Sequence, residues 1–332
     1  MQGKNKQILL AARPQGAVKE SDFKIVETDI PAVADGQVLV RNHFLSLDPY
    51  MRGRMDDSKS YAASQGLNEV MIGGTVGEVV ESKNPKFKVG DMVVGMYGWQ
   101  QYGVSDGAGL MKVDTTHIPA SVYLGSVGMP GVTAWYGLTQ IGEPKPGETV
   151  VVSAASGAVG SVVGQLAKLK GCRAVGVAGG QAKCDYVVKE LGFDACIDYK
   201  KETWFVDFKE ATPKGVDIYF DNVGGEILDN VLRRMNAFGR IPLCGLISQY
   251  NGEPYGFKNI RSFLVNRIKL QGFIVSEHME VWPQALKELG GYIVTGKLKY
   301  RESVAQGLDN APKAFIGLLK GENFGKQVVK LI

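Results

Sequence analysis

Histidine and cysteine are scarce in this chain, three and four among 332 residues. A catalytic zinc needs about three Cys, His or carboxylate ligands and a structural one needs four, so little material for a metal centre is present. His43, His117 and His278 lie far apart in the sequence, Cys172, Cys184, Cys196 and Cys244 all fall in its second half, and no C-x-x-C pair occurs. No metal is expected. Four cysteines without an export signal argue for a reducing compartment rather than a disulfide framework. Residues 1–7 are polar and the apolar stretch 8–12 is too short for a signal-peptide core, so a cytoplasmic protein is expected. Charge of one sign is lacking too. Lys plus Arg number 38 and Asp plus Glu 34, a balance of +4 with no basic run, which gives no footprint for nucleic acid or a membrane surface. The charge-free run over residues 150–167 is broken by Ser153, Ser156, Gly157, Gly160, Ser161, Gly164 and Gln165. It suits a buried strand followed by a small-residue helix better than a membrane span.

Glycine, by contrast, is abundant. Its 43 copies in 332 residues are nearly twice the usual share of about 7%, which implies many tight turns and close backbone approaches. The length suggests two domains at roughly 150 residues each. Up to about residue 120 the chain reads as short apolar runs between turn residues, such as 37–47, 71–80, 90–99 and 109–113, which predict a β-rich, barrel-like domain. From about 124 strands alternate with helices, the pattern of an α/β domain with a doubly wound parallel sheet. Six strands are expected there, at 149–154, 173–178, 195–198, 216–221, 238–244 and 269–275. Helices are expected over 157–170, 181–191, near 202–210, 225–235 and about 279–294.

Where the first of these strands meets its helix, the sequence SAASGAVGSVVG at 153–164 places Gly157, Gly160 and Gly164 in the turn. Glycines there let a pyrophosphate approach the backbone and meet the positive end of a helix. The same glycines also serve close helix-to-sheet packing, but the setting at the head of six alternating strands favours a dinucleotide. An NAD site usually carries an Asp or Glu about 20 residues on, to accept from the ribose 2′-OH. Here the positions read Ala178, Gly179, Gly180, Gln181, Ala182, Lys183. A carboxylate that would repel a 2′-phosphate is missing and a cation stands nearby, which favours NADP(H). The alternative for Lys183 is a solvated first-turn lysine, slightly unfavourable against the helix dipole.

With these residues in view, the chain resembles the zinc-independent medium-chain dehydrogenase/reductases. The likeness rests on 153–180, FDNVGG at 220–225, GRIPLCGLISQYN at 239–251, LLKGENFGKQVVK at 318–330 and SLDPYMRGRM at 46–55. It is strongest with the leukotriene B4 12-hydroxydehydrogenase/prostaglandin reductase branch, near the bacterial NADPH-dependent curcumin reductases. The resemblance implies a GroES-like domain over 1–123, a Rossmann NADP-binding domain over 124–296, and a segment 297–332 that returns to complete the first. It implies that Gly157, Ala158, Val159 and Gly160 cradle the pyrophosphate and that Lys183 and Tyr199 hold the adenosine ribose and its 2′-phosphate. Asn222, Cys244, Gly245, Leu246, Ile247, Ser248, Phe273, Ile274, Val275 and Asn323 would line the rest of the cofactor channel. A surface aromatic at Tyr199 and turn residues at Asn222 and Asn323 are the plainer readings. A homodimer is expected by resemblance alone.

Without a metal, a substrate oxygen must be polarised by hydrogen-bond donors. When hydride adds to the β-carbon of an α,β-unsaturated ketone or aldehyde, charge collects on the carbonyl oxygen, and donors aimed there lower the barrier. The branch's motifs put Tyr50 and Tyr250 at the substrate end of the cleft, and tyrosine, with a reference pKa near 10, is a neutral donor at pH 7. The plainer reading of each is a wall residue with its hydroxyl in water, and Arg52 is set aside as an ion-pair residue. Thr75, Phe263 and Val265 stand where some members carry further tyrosines, which bears on substrate preference. The expected function is an NADPH-dependent reductase of enone and alkenal double bonds, with a zinc-free quinone oxidoreductase, an alcohol dehydrogenase and a non-catalytic NADPH-binding protein as alternatives.

Overall fold

A computed structural model describes residues 3–332, which divide into two compact units. The first holds residues up to 125 together with 302–323 and 327–332, and the second holds 126–301 together with 324–326. In the first unit, β1 (Lys4–Leu10) and β2 (Phe23–Asp29) pair antiparallel as a separate two-stranded sheet. Then come β3 (Val38–Ser46), the short helix α1 (Tyr50–Arg54), β4 (Thr75–Ser82), β5 (Met92–Gly95), β6 (Tyr102–Ser105) and β7 (Met111–Lys112). β3 pairs with both β4 and β6, and its register against β4 slips between Asn42 and Phe44. Such bulges bend a strand and re-aim its side chains.

The second unit opens with α2 (Met129–Tyr136), which continues through 137–142 as a wider π-helical turn. It then runs β8 (Thr149–Ser153), α3 (Gly160–Leu169), β9 (Arg173–Ala178), α4 (Gln181–Lys189), β10 (Ala195–Asp198) and α5 (Trp204–Ala211). It closes with β11 (Val216–Phe220), α6 (Gly225–Leu232), β12 (Met235–Leu243), α7 (Arg261–Asn266), β13 (Lys269–Gly272) and α8 (Trp282–Val294). The six strands form one sheet in the order β10-β9-β8-β11-β12-β13, all parallel. This is the doubly wound order, whose ligand crevice lies beyond the carboxyl ends of the strands where the winding reverses, here between β8 and β11. The five residues of β8 are all buried, as a central parallel strand requires.

All six strands stand at the expected places, but some ends differ. The helix expected from 157 starts at Gly160, because Ala154 takes a left-handed turn and Gly157 is drawn into a bridge with Gly325. The last strand ends at Gly272 rather than 275, and the helix expected from about 279 starts at Trp282, after two tight turns over 275–281. α2 has no counterpart in the sequence reading. It is apolar all round and every residue after Met129 is buried, so it lacks the amphipathic period that marks a surface helix. Its Gly131 is required by packing, since a Cβ there would lie 2.0 Å from the Ser126 carbonyl oxygen.

The chain ends with β14 (Glu302–Gln306), α9 (Ala311–Leu319) and β15 (Lys326–Lys330). β15 pairs with β3, extending the first unit's sheet to the order β14-β15-β3-β4-β5-β7. α9 delivers Phe315 to the core, edge-on to Trp99 at 5.7 Å, while Phe23 stacks on Trp99 at 5.2 Å. Both Trp99 and Phe315 are fully buried. Three segments distant in sequence thus share one aromatic cluster, and the cavity left by removing a ring is not easily refilled. Phe315→Ala is therefore expected to lower unfolding free energy by about 3–5 kcal/mol in denaturant titration. A loss below about 1 kcal/mol would show that the returning helix adds little to this core.

Candidate active site

The turn between β8 and α3 is shaped by its own backbone. The Gly157 N–H donates to the Ala154 carbonyl at 2.9 Å, and a Cβ on Gly160 would lie 2.3 Å from that same oxygen. Only glycine permits the turn to pass so close before the helix begins. Gly157, Ala158, Val159 and Gly160 therefore lead into the first turn of α3, where the Ser161 N–H donates to the Gly157 carbonyl at 3.0 Å and the Val163 N–H to that of Val159 at 3.0 Å. The Gly325 N–H donates to the Ser156 carbonyl at 3.0 Å, so the returning chain braces this turn.

One strand further out, β9 ends at Ala178 and the chain turns through Gly179 and Gly180 into α4. No carboxylate stands at that strand end, but one stands at the end of the next. Asp198 Oδ1 accepts from the Gly180 N–H at 2.8 Å and from the Lys200 N–H at 3.1 Å. It ties the two strand ends together. A Cβ on Gly179 would lie 3.1 Å from both the Tyr199 hydroxyl and Lys200 Cε, which puts those side chains against the turn. Burial, and then the nearby Lys200 ammonium, hold the Lys183 pKa below its ordinary value. Two ammonium groups that repel each other beside glycines are an arrangement that an anion relieves. Phe324 completes this corner, its ring 5.9 Å from Lys183 Nζ and 4.3 Å from the Arg301 guanidinium. Lys200 and Phe324 were not singled out in the sequence. Lys200 carried a signal, a second lysine directly after Tyr199, whereas nothing local to Phe324 marked it.

Beyond β11 and β12 the loops are zipped together. The Cys244 and Gly245 N–H groups donate to the Asp221 carbonyl, Ile247 N–H to that of Asn222, and Ser248 N–H and Oγ to that of Val223. Asn222 in turn donates its backbone N–H to Ser153 Oγ at 2.9 Å and its side-chain amide to the Ser153 carbonyl at 2.8 Å. The structure thus brings Asn222 and 244–248 together around the end of β8. Phe273 is different: its ring packs on Phe220 and Tyr136, so its side chain belongs to the core. Val275 is buried, with its carbonyl accepting from Trp282 Nε1, and Ile274 is partly exposed beside it. Asn323 is half-buried directly before Phe324.

Of the two tyrosines, Tyr50 opens α1 in the first unit. Burial, and then the Asp48 carboxylate, push its phenol pKa well above the ordinary value, so its hydroxyl stays protonated. Arg54 lies over both the Tyr50 and Tyr61 rings, at 5.9 and 4.9 Å. Arg52 is engaged elsewhere, with Asp56 at 2.7 Å and the Gly16 carbonyl at 3.1 Å. In the second unit the Tyr250 hydroxyl folds back on its own loop and accepts from the Leu246 N–H at 3.4 Å. A hydroxyl that accepts still has a proton to donate.

Known proteins are similar to this chain over nearly its whole length. Residues 6–113 match the family described as N-terminal domain of oxidoreductase, and residues 158–290 the one described as zinc-binding dehydrogenase. The NADPH-dependent curcumin reductase of Escherichia coli K12 is 47% identical over 99% of this chain and 97% of its own. The NADP-dependent 2-alkenal reductase of Nicotiana tabacum is 45% identical over 98% and 97%. The crystal structure of CurA from Vibrio vulnificus in complex with NADPH is 48% identical, with a TM-score of 0.94 over 98% of this chain and 99% of that one. The chain belongs to the medium-chain dehydrogenase/reductase family.

The second family description names zinc. Among the described residues no three His, Cys, Asp or Glu side chains converge as a metal requires. His43 lies 3.8 Å from Glu78, and His278 is stacked on Tyr136 with its Nε2 at 2.9 Å from the phenol oxygen. No helix among the described residues is long and apolar enough to cross a membrane.

The reductase's loops depend on Asp221, fully buried at the end of β11. Its Oδ1 accepts from Ser153 Oγ, the Tyr219 hydroxyl and the Val223 and Gly224 N–H groups, at 2.8 to 3.2 Å. Oδ2 has no partner, and burial raises the pKa despite those donors. Removing the acceptor strands four buried donors, so Asp221→Ala should cost at least about 3 kcal/mol, and Asp221→Asn, which keeps an acceptor, no more than about half of that. Because the native pKa is raised, folding favours the protonated acid. The wild type should therefore lose stability relative to Asp221→Asn as pH rises from the ordinary carboxylate range to the native pKa, and lose no more above it. Denaturant titrations across pH check this; parallel profiles for the two proteins would refute it.

Proposed function

We propose that this protein is an NADPH-dependent reductase of the C=C bond of α,β-unsaturated ketones and aldehydes. The observation that carries this reading is the full-length likeness to the curcumin and 2-alkenal reductases. The residues present fit the cofactor. Gly157 to Gly160 would take its pyrophosphate, Lys183, Lys200 and Tyr199 its 2′-phosphate, and the loops of Asn222 and 244–248, with the backbone of 273–275 and Asn323, the remainder. NADPH when bound supplies a hydride to the β-carbon of the substrate.

This chain's own contribution lies at the carbonyl oxygen, where negative charge gathers as the enolate forms. We assign Tyr50 and Tyr250 as the donors to that oxygen. The raised pKa of Tyr50 supports its part, because a phenol held neutral can donate at any pH at which the enzyme operates. The preference for NADPH falls to Lys183 and Lys200, whose repulsion a phosphate dianion would relieve. We also expect a homodimer. β13 is an edge strand of the parallel sheet, and α7 beside it exposes Leu264 and Val265 at 80% and 49%, an apolar edge that a second copy could extend.

A steady-state assay with NADPH and NADH against enones, alkenals and quinones tests the reading. Oxidation of NADPH with the carbonyl left intact is expected on enones, and turnover confined to quinones would overturn it. Tyr50→Phe and Tyr250→Phe should each lower kcat at least about tenfold; the donor assignment fails if both stay within about twofold. Lys183→Met should raise KM for NADPH about tenfold or more with little change for NADH, since it removes one charged contact to the phosphate. A wild type that prefers NADH would refute the assignment of the lysine pair. Leu264→Asp should shift sedimentation from dimer to monomer.

A further inference from the structure

Cys184 on α4 and Cys196 on β10 face each other with their sulfurs 3.2 Å apart. Both are free thiols. Each comes from an element that carries one side of the corner assigned above to the 2′-phosphate. Lys183 precedes Cys184 in the first turn of α4, and Tyr199 and Lys200 follow directly after β10. The sheet makes room for the pair: Cys196 lies opposite Gly176 of β9, where a Cβ would come 3.2 Å from the Cys196 sulfur and 2.7 Å from Ala155 Cβ. Cys184 is buried and Cys196 partly exposed.

We infer that Cys184 and Cys196 are a redox-active pair that closes to a disulfide on exposure to a hydroperoxide and thereby weakens NADPH binding. The inference rests on the assignment of Lys183, Lys200 and Tyr199 to the 2′-phosphate. Closing the bond requires the sulfurs to draw in to about 2.05 Å, roughly 1 Å nearer than they stand. That movement pulls the start of α4 against the end of β10 and changes the spacing of the groups on either side.

The chemistry balances with hydrogen peroxide as the oxidant. The Cys196 S–H donates toward Cys184, and this contact is the largest influence holding the Cys184 thiol below its ordinary pKa, ahead of the opposing effect of burial. The Cys184 thiolate attacks one peroxide oxygen, the O–O bond breaks, and a sulfenic acid and one water result. The Cys196 sulfur then attacks the sulfenic sulfur, the S–O bond breaks, and a second water leaves with the remaining thiol proton. Two thiols give up two electrons, and one peroxide becomes two waters. The other cysteines are poor candidates. Cys244 has its pKa pushed up to about 12 by burial and by Asp221, and Cys172 is buried with its thiol donating to the Lys145 carbonyl.

Purified full-length protein treated with hydrogen peroxide, then read by intact mass, peptide mapping and NADPH fluorescence titration, tests the inference. The expected result is the loss of two hydrogens, one crosslinked peptide joining Cys184 to Cys196, and an NADPH Kd weakened at least about fivefold, all reversed by dithiothreitol. Cys184→Ser and Cys196→Ser should abolish both crosslink and shift, and mapping of the wild type gives the answer even if a variant folds poorly. Absence of the crosslink overturns the inference, as does a crosslink that leaves the NADPH Kd unchanged. Equal weakening of NADPH and NADH would support the latch but refute the assignment of the corner to the 2′-phosphate.

Discussion

A single carboxylate, that of Asp221, holds the carboxyl ends of the central strands in one arrangement. Parallel strands end in backbone groups that their neighbours no longer satisfy, and the crevice of a doubly wound sheet opens at that place. Here Asp221 gathers the hydroxyl at the end of β8 and two N–H groups of the turn into α6, while its own carbonyl takes two N–H groups from the chain leaving β12. One buried acceptor thus ties the end of β8 to the turn into α6, beside the backbone bonds that join the two loops. The lone Oδ2 and the raised pKa mark the cost of putting a carboxyl group there.

The chain's last thirty residues extend this economy. They give β15 and α9 to the first unit, yet residues 324–326 belong to the second, where Gly325 braces the glycine turn and Phe324 stands between Arg301 and Lys183. The glycine turn and the corner proposed for the 2′-phosphate are thus both supported by residues about 140 to 170 positions away in sequence, a non-local design of the kind that folds late.

That distance explains which parts were legible in the sequence. The buried strands were, because a run such as 149–153 can do little but lie inside a parallel sheet, and the glycine turn was, because it sits between such a strand and a small-residue helix. The beginning of α3 was not, since the three-residue delay depends on the Gly157–Gly325 bridge. α2 was not, because a helix buried on all sides leaves no period to read. At the 2′-phosphate corner the missing carboxylate after β9 was visible, but Asp198 and Lys200 act from the next strand, and only the sheet order makes them neighbours. Cysteine was legible only as scarcity, whereas the fold places two of the four in contact.

The two tyrosines divide the proposed reaction in a way that their surroundings explain. A phenol whose pKa is raised by burial and by Asp48 forms a hydrogen bond to a developing oxyanion but gives up its proton less readily than a free tyrosine. Tyr50 is therefore suited to stabilising an enolate and poorly suited to protonating the carbon beside it. Tyr250 is held by its own loop, through the Leu246 N–H that its oxygen accepts, so its hydroxyl is oriented before any substrate arrives. Preorganised donors of this kind lower a barrier because they need not reorient as charge appears. Under the proposed assignment both phenols serve the oxygen, and protonation of the α-carbon is then a separate step with a separate source. The rates of hydride addition and of proton uptake can then respond independently to solvent and to mutation at either tyrosine.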